Sequence, residues 1–197
     1  MGFQFEQHRE SIQYIFNTLD QIPENPEPTL TLAHVISPHP PFVFDSQGNP
    51  VQPDEYFSFR DGDKYYEPQD RAEYIKGYAG QTQYLDQLVL DTIDTILQKS
   101  STPPIILLTS DHGPASHLDP NYLANTDVNE RFSVLNAFYF PDQDYANLTP
   151  DISLVNDWRV ILNQYFGRDE ALLPMHSYYS PFNDLLDFTE VTNQLAK

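Results

Sequence analysis

Apolar positions recur along this chain in two rhythms, one helical and one extended. From Phe5 onward, Phe5, Ile12, Ile15, Phe16 and Leu19 fall three, four or seven residues apart and predict an amphipathic helix that Pro23 stops. "TLTLAHVIS", Thr29 to Ser37, is apolar on both faces and reads as an interior strand. Residues 38–68 are rich in Pro, Gly, Asp and aromatics, and read as a long surface loop of the functional or lid-like kind. The longest helical stretch follows, with Tyr74, Tyr78, Leu85, Val89, Ile93 and Ile96 in one stripe. Gly77 and Gly80 weaken its first half and point to a kink or a close contact there.

Pro103 and Pro104 forbid continuation of that helix, and "IILLTS", Ile105 to Ser110, is a strand. "SVLNAFYFP" is a further strand. "SLVNDWRVILNQYFG" is a helix with Ser153 as its N-cap and Gly167 just past its end, and Leu154, Trp158, Ile161, Leu162 and Tyr165 make its buried face. The tail from Leu172 is aromatic and irregular, closing with a short helix. Strands alternating with helices predict an α/β fold: a mainly parallel or mixed sheet flanked by helices, with residues 1–197 forming a single domain.

Charge narrows the partners. The chain carries 29 acidic and 10 basic residues, a formal charge of −19. Binding to nucleic-acid phosphates needs clustered Lys and Arg, so a nucleic-acid surface is excluded, and an anionic membrane surface is disfavoured. The acids permit cation binding, although most serve as solvated surface. The chain has no cysteine, which removes disulfides, thiolate metal sites and a Cys nucleophile. No window approaches the length of an apolar membrane span.

Ligands in open α/β sheets collect beyond the carboxyl ends of strands. Two segments place His or Asp there. In "LAHVISPHPPF", His34 lies in the strand and His39 in the loop beyond it; in "IILLTSDHG", Asp111 and His112 lie at the tip, with Gly113 allowing a sharp turn. Carboxylate oxygen and imidazole nitrogen both suit Zn, Mn and similar divalent ions. Neighbours on a strand point to opposite faces, so the pair reaches one ion only if the chain leaves the strand there. The same residues also fit plainer roles: a hydrogen-bonded turn at Asp111–His112, a core or supporting histidine at 34, an exposed loop residue at 39. His117 is a candidate second ligand, and His8 and His176 have no supporting context.

Taken in order, "YAGQTQYLDQLVLDTIDTIL", then "PIILLTSDHG", resembles the C-terminal part of the sulfatase and alkaline-phosphatase superfamily. "HVISPHPPF" is similar to the His-containing segment of the branch that includes lipoteichoic acid synthases and lipid A phosphoethanolamine transferases. "HPPFVFD", "NERFSVLNAFYFP" and "VNDWRVILNQYFG" resemble bacterial sulfatase-like membrane-anchored proteins. The likeness runs from about Thr29 to Thr189.

The resemblance implies a partial alkaline-phosphatase-like fold and a divalent metal (Mn, Zn, Mg or Ca) ligated by Asp111 and His112. It implies His39 as the catalytic histidine facing the phosphate or sulfate, with His34 and Gly113 supporting. The expected substrate is a phosphate or sulfate ester, either a small molecule or a lipid head group. In such enzymes a Ser, Thr or modified Cys attacks the tetrahedral phosphorus or sulfur centre. Here Ser11 and Thr18 lie inside a helix, and Thr29 and Thr31 beside a strand, so none has the strand–loop–helix setting a nucleophile needs. The expectation is therefore a C-terminal portion lacking the nucleophile-bearing half and inactive by itself. Its parent would be membrane-anchored with an extracytoplasmic catalytic domain. An exposed sheet surface would favour self-association. The alternative is a non-catalytic binding or assembly domain that keeps the fold without the chemistry.

Overall fold

A computed structural model describes residues 2–52, 57–59 and 70–195 of the protein. The chain divides into two compact units, Met1–Pro103 and Pro104–Lys197.

The first unit is built on two helices, α1 (Gly2–Leu19) and α2 (Arg71–Lys99). α1 ends short of Pro23 in a 3₁₀ turn at Ile22–Glu24. Phe5, Ile12 and Phe16 of its stripe are buried against Val43, Phe44 and Leu85, as the spacing predicts. The stripe of α2 holds too, with Tyr74 and Leu85 buried, and the polar Gln81 and Thr92 share that face. α2 runs unbroken through Gly77, whose role is close approach: a Cβ there would lie 2.1 Å from the Phe42 ring.

Two expectations for this unit are corrected. Residues 38–68 are not wholly a surface loop. Pro40 to Phe44 are buried, because "PPFVF" supplies the apolar layer that α1 and α2 need. Gln81 holds that layer in place, its Oε1 accepting from the Val43 and Phe44 amides at 2.7 and 3.2 Å. The layer ends in an Asp45 turn, where one carboxylate oxygen accepts from the amides of Gln47 and Asn49. Most of the rest of that expected loop, from residue 53 on, lies outside the described residues. The second correction concerns Thr29–Ser37. The backbone pairs with no strand among the described residues, and Leu30 and Leu32 are 81% and 89% exposed. Apolar composition favours a strand, but a ladder needs a neighbour.

The second unit pairs β1 (Ile106–Thr109) with β2 (Asn136–Tyr139), antiparallel, Ile106 opposite Tyr139 and Thr109 opposite Asn136. Both strands fall where the apolar runs predict them. Between them lie a 3₁₀ turn at Leu123–Asn125 and one short α-helix, α3 (Val128–Phe132). A second antiparallel pair, β3 (Tyr178–Tyr179) with β4 (Thr189–Glu190), closes the tail. Strand pairing is thus antiparallel throughout the described residues, where a mainly parallel or mixed sheet was expected. Parallel neighbours need a crossover helix lying on the sheet, and five-residue α3 instead pins the loop beyond β1.

α4 (Leu154–Phe166) ends at Gly167, which takes the left-handed conformation at φ 63°. Its inward face differs from the expected one: Asn156, Asp157, Val160 and Ile161 are buried, while Trp158 is 48% exposed. Polar side chains turned the face. Asn156 clasps the Leu173 backbone with bonds of 2.8 and 2.9 Å, and Asn163 clasps Glu170 in the same way at 2.8 and 2.7 Å. The apolar side of α4 then packs Val160 and Ile161 on Phe140.

Candidate functional site

β1 ends at Thr109, so Ser110 to Gly113 have left the strand when the two candidate ligands appear. Ser110 continues the contact with the chain beyond α3: its amide donates to Leu135 O and its Oγ accepts from the Leu135 amide, both at 2.9 Å. The Gly113 amide donates to Arg131 O at 2.8 Å. The glycine is needed for close packing rather than for a turn. A Cβ at 113 would stand 2.1 Å from Glu130 O and 2.6 Å from Ser133 O.

This departure from the strand brings the neighbouring side chains to one side. Asp111 Oδ2 and His112 Nε2 lie 3.6 Å apart, the carboxylate side chain 84% exposed and the imidazole 39%. Two ligands each about 2.1 Å from a tetrahedral ion stand roughly 3.4 Å apart, so the pair fits one small divalent cation. Among the described residues no three His, Asp or Glu side chains gather closely enough to hold an ion.

Which His112 nitrogen is open depends on its other contacts. Nδ1 lies 2.9 Å from Gly113 O and 2.8 Å from an Arg131 guanidinium nitrogen, which also donates to Gly113 O at 3.1 Å. A carbonyl only accepts and a guanidinium only donates. With the proton on Nδ1, donated to Gly113 O, Nε2 turns its lone pair toward Asp111 and can bind a cation. With Arg131 donating to a bare Nδ1, Nε2 carries the proton instead.

His117 is held by a different set. Glu130 accepts from the Ser116 hydroxyl and, at 2.8 Å, from the His117 amide. Ser116 has one proton and gives it to Glu130, so its oxygen accepts from His117 Nδ1 at 2.8 Å and Nε2 keeps its lone pair. Glu130 and Arg131 are consecutive on α3, which Asp127 caps by accepting from the Asn129 and Glu130 amides at 2.9 and 3.2 Å. One capped turn of helix therefore steadies both histidines of this loop. Sequence reading did not single out Glu130 or Arg131. The available signal was the Asp-x-x-Glu capping pattern of "DVNE", immediately ahead of Arg131.

In the first unit, His39 is half-buried and its Nδ1 donates to Pro40 O at 2.5 Å, which leaves Nε2 as the open nitrogen. His8, without context in the sequence, is buried on α1, its ring edge-on to Phe57 and Phe59 at 5.6 and 5.2 Å and its Nε2 unpartnered. Burial, then the nearby charges of His39 and Arg9, hold its pKa below the ordinary imidazole value. Its place between Phe5 and Ile12 on the buried stripe was the sequence signal. His34 is exposed, which corrects the expectation of a core histidine: an extended segment with no neighbour buries nothing there. His176, in the second unit, donates from Nδ1 to Glu190 at 2.8 Å, a contact that holds the Glu190 carboxyl below its usual range.

Comparison with known proteins adds one positive finding. The family model described as Sulfatase matches residues 3–151, which spans α1, α2, the Asp111–His112 turn and β2. No curated protein and no solved structure matches the chain. No helix among the described residues is long and apolar enough to cross a membrane.

Proposed function

The chain belongs to the sulfatase family, and from that premise we propose that it is the C-terminal portion of a metal-dependent hydrolase or transferase of phosphate or sulfate esters. The family carries an alkaline-phosphatase-like α/β fold, generally uses a divalent metal and acts on sulfate or phosphate esters. Asp111 and His112 would hold the cation, and His39 is the residue to which the resemblance assigns contact with the substrate anion. One imidazole with one carboxylate suits Zn or Mn better than Mg or Ca, which prefer all-oxygen sites. Such a cation lowers the pKa of a bound hydroxyl and neutralises charge on the non-bridging oxygens. The chain's own groups do the rest of the positioning. The Gly113 carbonyl, accepting from Nδ1, sets the His112 ring, and the Pro40 carbonyl fixes His39 with Nε2 outward.

The observation that carries this reading is the 3.6 Å approach of Asp111 Oδ2 to His112 Nε2 in a loop fixed by backbone contacts to α3. The chain does not turn over ester by itself in this reading. Ser11 and Thr18 spend their hydroxyls on the α1 carbonyls of Gln7 and Tyr14, at 2.8 and 2.7 Å, and neither sits at a strand–loop–helix turn. The segment "HVISPHPPF" supports placement near lipoteichoic acid synthases and phosphoethanolamine transferases, hence a lipid head group as substrate and a membrane-anchored parent.

Titration calorimetry with Mn²⁺ or Zn²⁺ tests the site. Weak binding is expected in the wild type, lost in Asp111→Ala and in His112→Ala. Equal affinity in all three proteins refutes it. A second reading, a binding or assembly domain without chemistry, is favoured by the 2.8 Å contact between Arg131 and His112 Nδ1, which places the proton on Nε2 and closes it to metal. In that case Arg131→Ala gains metal affinity that the wild type lacks.

A further inference from the structure

Four aromatic rings meet where α1 lies against residues 57–59. Phe5 packs edge-on to Phe57 at 5.3 Å, and Phe57 edge-on to Phe59 at 5.1 Å. His8 completes the group, edge-on to Phe57 and Phe59 at 5.6 and 5.2 Å. It is the one titratable ring of the four. The residue is 7% exposed, and its Nε2 is buried without a partner among the described residues. A buried nitrogen left unpaired costs stability, and a phenylalanine would fill the same place with no such cost. The imidazole is thus a local choice made against stability, of the kind that marks functional positions.

The neighbours decide what a proton does here. An imidazolium donates from both nitrogens, so a charged His8 holds a buried N–H at Nε2 with no acceptor, whichever nitrogen was protonated before. The rings of Phe57 and Phe59 offer no lone pair. On α1 itself the Glu6 carboxylate is taken by Arg9, at 3.2 Å from Nε and 2.6 Å from Nη2, and Arg9 gives Nη1 to Val51 O at 3.0 Å. The segment that carries His39 brings no acid, since none occurs from Pro28 to Val43. α2 meets the stripe of α1 through apolar Leu85, with Leu88 and Val89 beside it. Burial, then the charges of His39 and Arg9, set the ring against protonation, and both of those neighbours are cationic when charged. We propose that His8 is an acid-sensitive latch: neutral, it closes the ring cluster on the first half of α1, and protonated, it parts that half from Phe57 and Phe59. The latch is independent of the metal site and stands or falls separately from it.

Two measurements on the wild type and two variants test it. NMR of the histidine rings follows His8 directly, and its titration falls below the ordinary imidazole value of about 6.5. His8 then binds its proton more weakly in the folded protein than in the unfolded one. The stability it contributes is full above about 6.5 and is lost as pH falls through the folded value. Amide exchange, corrected for the intrinsic rate, reads where the loss occurs. Opening constants from Phe5 to Ile12 rise by up to about tenfold per pH unit below 6.5 and level off once folded His8 is charged, while β1 and β2 do not follow. His8→Phe keeps a ring and His8→Gln keeps a polar end; neither can take the charge, and both flatten the rise. The wild-type titration decides even where a substitution unfolds the protein. Titration of His8 at or above the ordinary value overturns the proposal. So does a rise that either folded variant retains, or one shared equally by α1 and the strands of the second unit.

Discussion

In the first compact unit, Phe5, Ile12, Phe16, Val43, Phe44 and Leu85 are buried together in one cluster, with Val35, Phe57, Tyr84, Leu88 and Val89 around it. In the second, the described apolar residues divide between two clusters: Val128, Tyr179 and Val191 with Leu123, Phe132 and Leu195 around them, and Phe140, Val160 and Ile161 with Ile105, Leu107, Phe138, Leu148, Ile152 and Tyr165 around them. Between these divided clusters the second unit is tied by side chains bonded to backbone. Asn156 and Asn163 clasp residues 173 and 170, Asp119 accepts from the amides of Asn121 and Tyr122, Tyr179 donates to Asp119 O, and Glu130 grips the loop at 116–117. The two means are not equivalent. Burying a large apolar side chain stabilises by about 1.5–3 kcal/mol, whereas a hydrogen bond nets about 1 kcal/mol but fixes direction. The unit that carries Asp111 and His112 is the one tied by directional bonds, as a loop that keeps two side chains at a set separation requires.

The contrast predicts where a core truncation should be felt. Phe5 is fully buried and packs edge-on to Phe57 at 5.3 Å. Phe5→Ala removes the largest contact of the larger cluster and should cost about 4 kcal/mol. Amide hydrogen exchange reads the location: protection should fall across α1 and α2 while β1, β2 and α4 keep theirs. An equal loss in both units would break the contrast.

A smaller but more local effect is expected at Gly113. Its missing Cβ leaves room for the carbonyls of Glu130 and Ser133, and these are backbone atoms that cannot swing aside. Gly113→Ala should cost about 2–3 kcal/mol, concentrated at the loop, with the Gly113–Arg131 bond and the Ser110–Leu135 bonds opening together. Metal binding at the proposed Asp111–His112 pair should weaken with it, although neither of those side chains has changed. Retention of wild-type affinity would mean that α3 does not hold the pair in place.

How much of this was legible in advance follows from the range of the interactions. The stripes of α1 and α2 and the two strands β1 and β2 depend on spacing within a few residues, and periodicity finds them. Asp111 and His112 stood out because a strand ended there. Arg131 reaches His112 and Gly113 from 19 and 18 residues away, and Glu130 reaches Ser116 from 14, so neither role is written in local pattern. The same holds for burial. "PPFVF" looks like loop because prolines dominate it, yet it is the inner layer of the first unit. Trp158 looks like core because it is the largest side chain on α4 and falls on its apolar stripe, yet Asn156 and its clasp took the inward position. Thr29–Ser37 has strand composition, and what composition does not supply is the neighbouring strand.

The smallest expected effect is the most diagnostic of the second unit's polar organisation. Asp157 is buried on the first turn of α4 and accepts from Asn136 Nδ2 at 3.1 Å, while Asn136 Oδ1 is buried without a partner. Burial outweighs that single bond and holds the Asp157 carboxyl above the ordinary carboxylate range. A carboxyl whose pKa is raised on folding opposes the folded state when it ionises. The protein should therefore lose stability as pH rises from the unfolded value through the folded one, and the loss should stay constant above it. Asp157→Asn removes the charge and offers an amide that can donate to the orphaned Asn136 oxygen. It should stabilise by about 1 kcal/mol at neutral pH, and the gain should shrink as pH falls and the wild-type carboxyl takes up its proton. Urea unfolding of both proteins across that range measures the difference. A variant less stable than wild type at neutral pH would show that the Asn136 bond to a charged Asp157 outweighs the cost of burying the charge, and that this unit is held by an ionised pair rather than by neutral clasps.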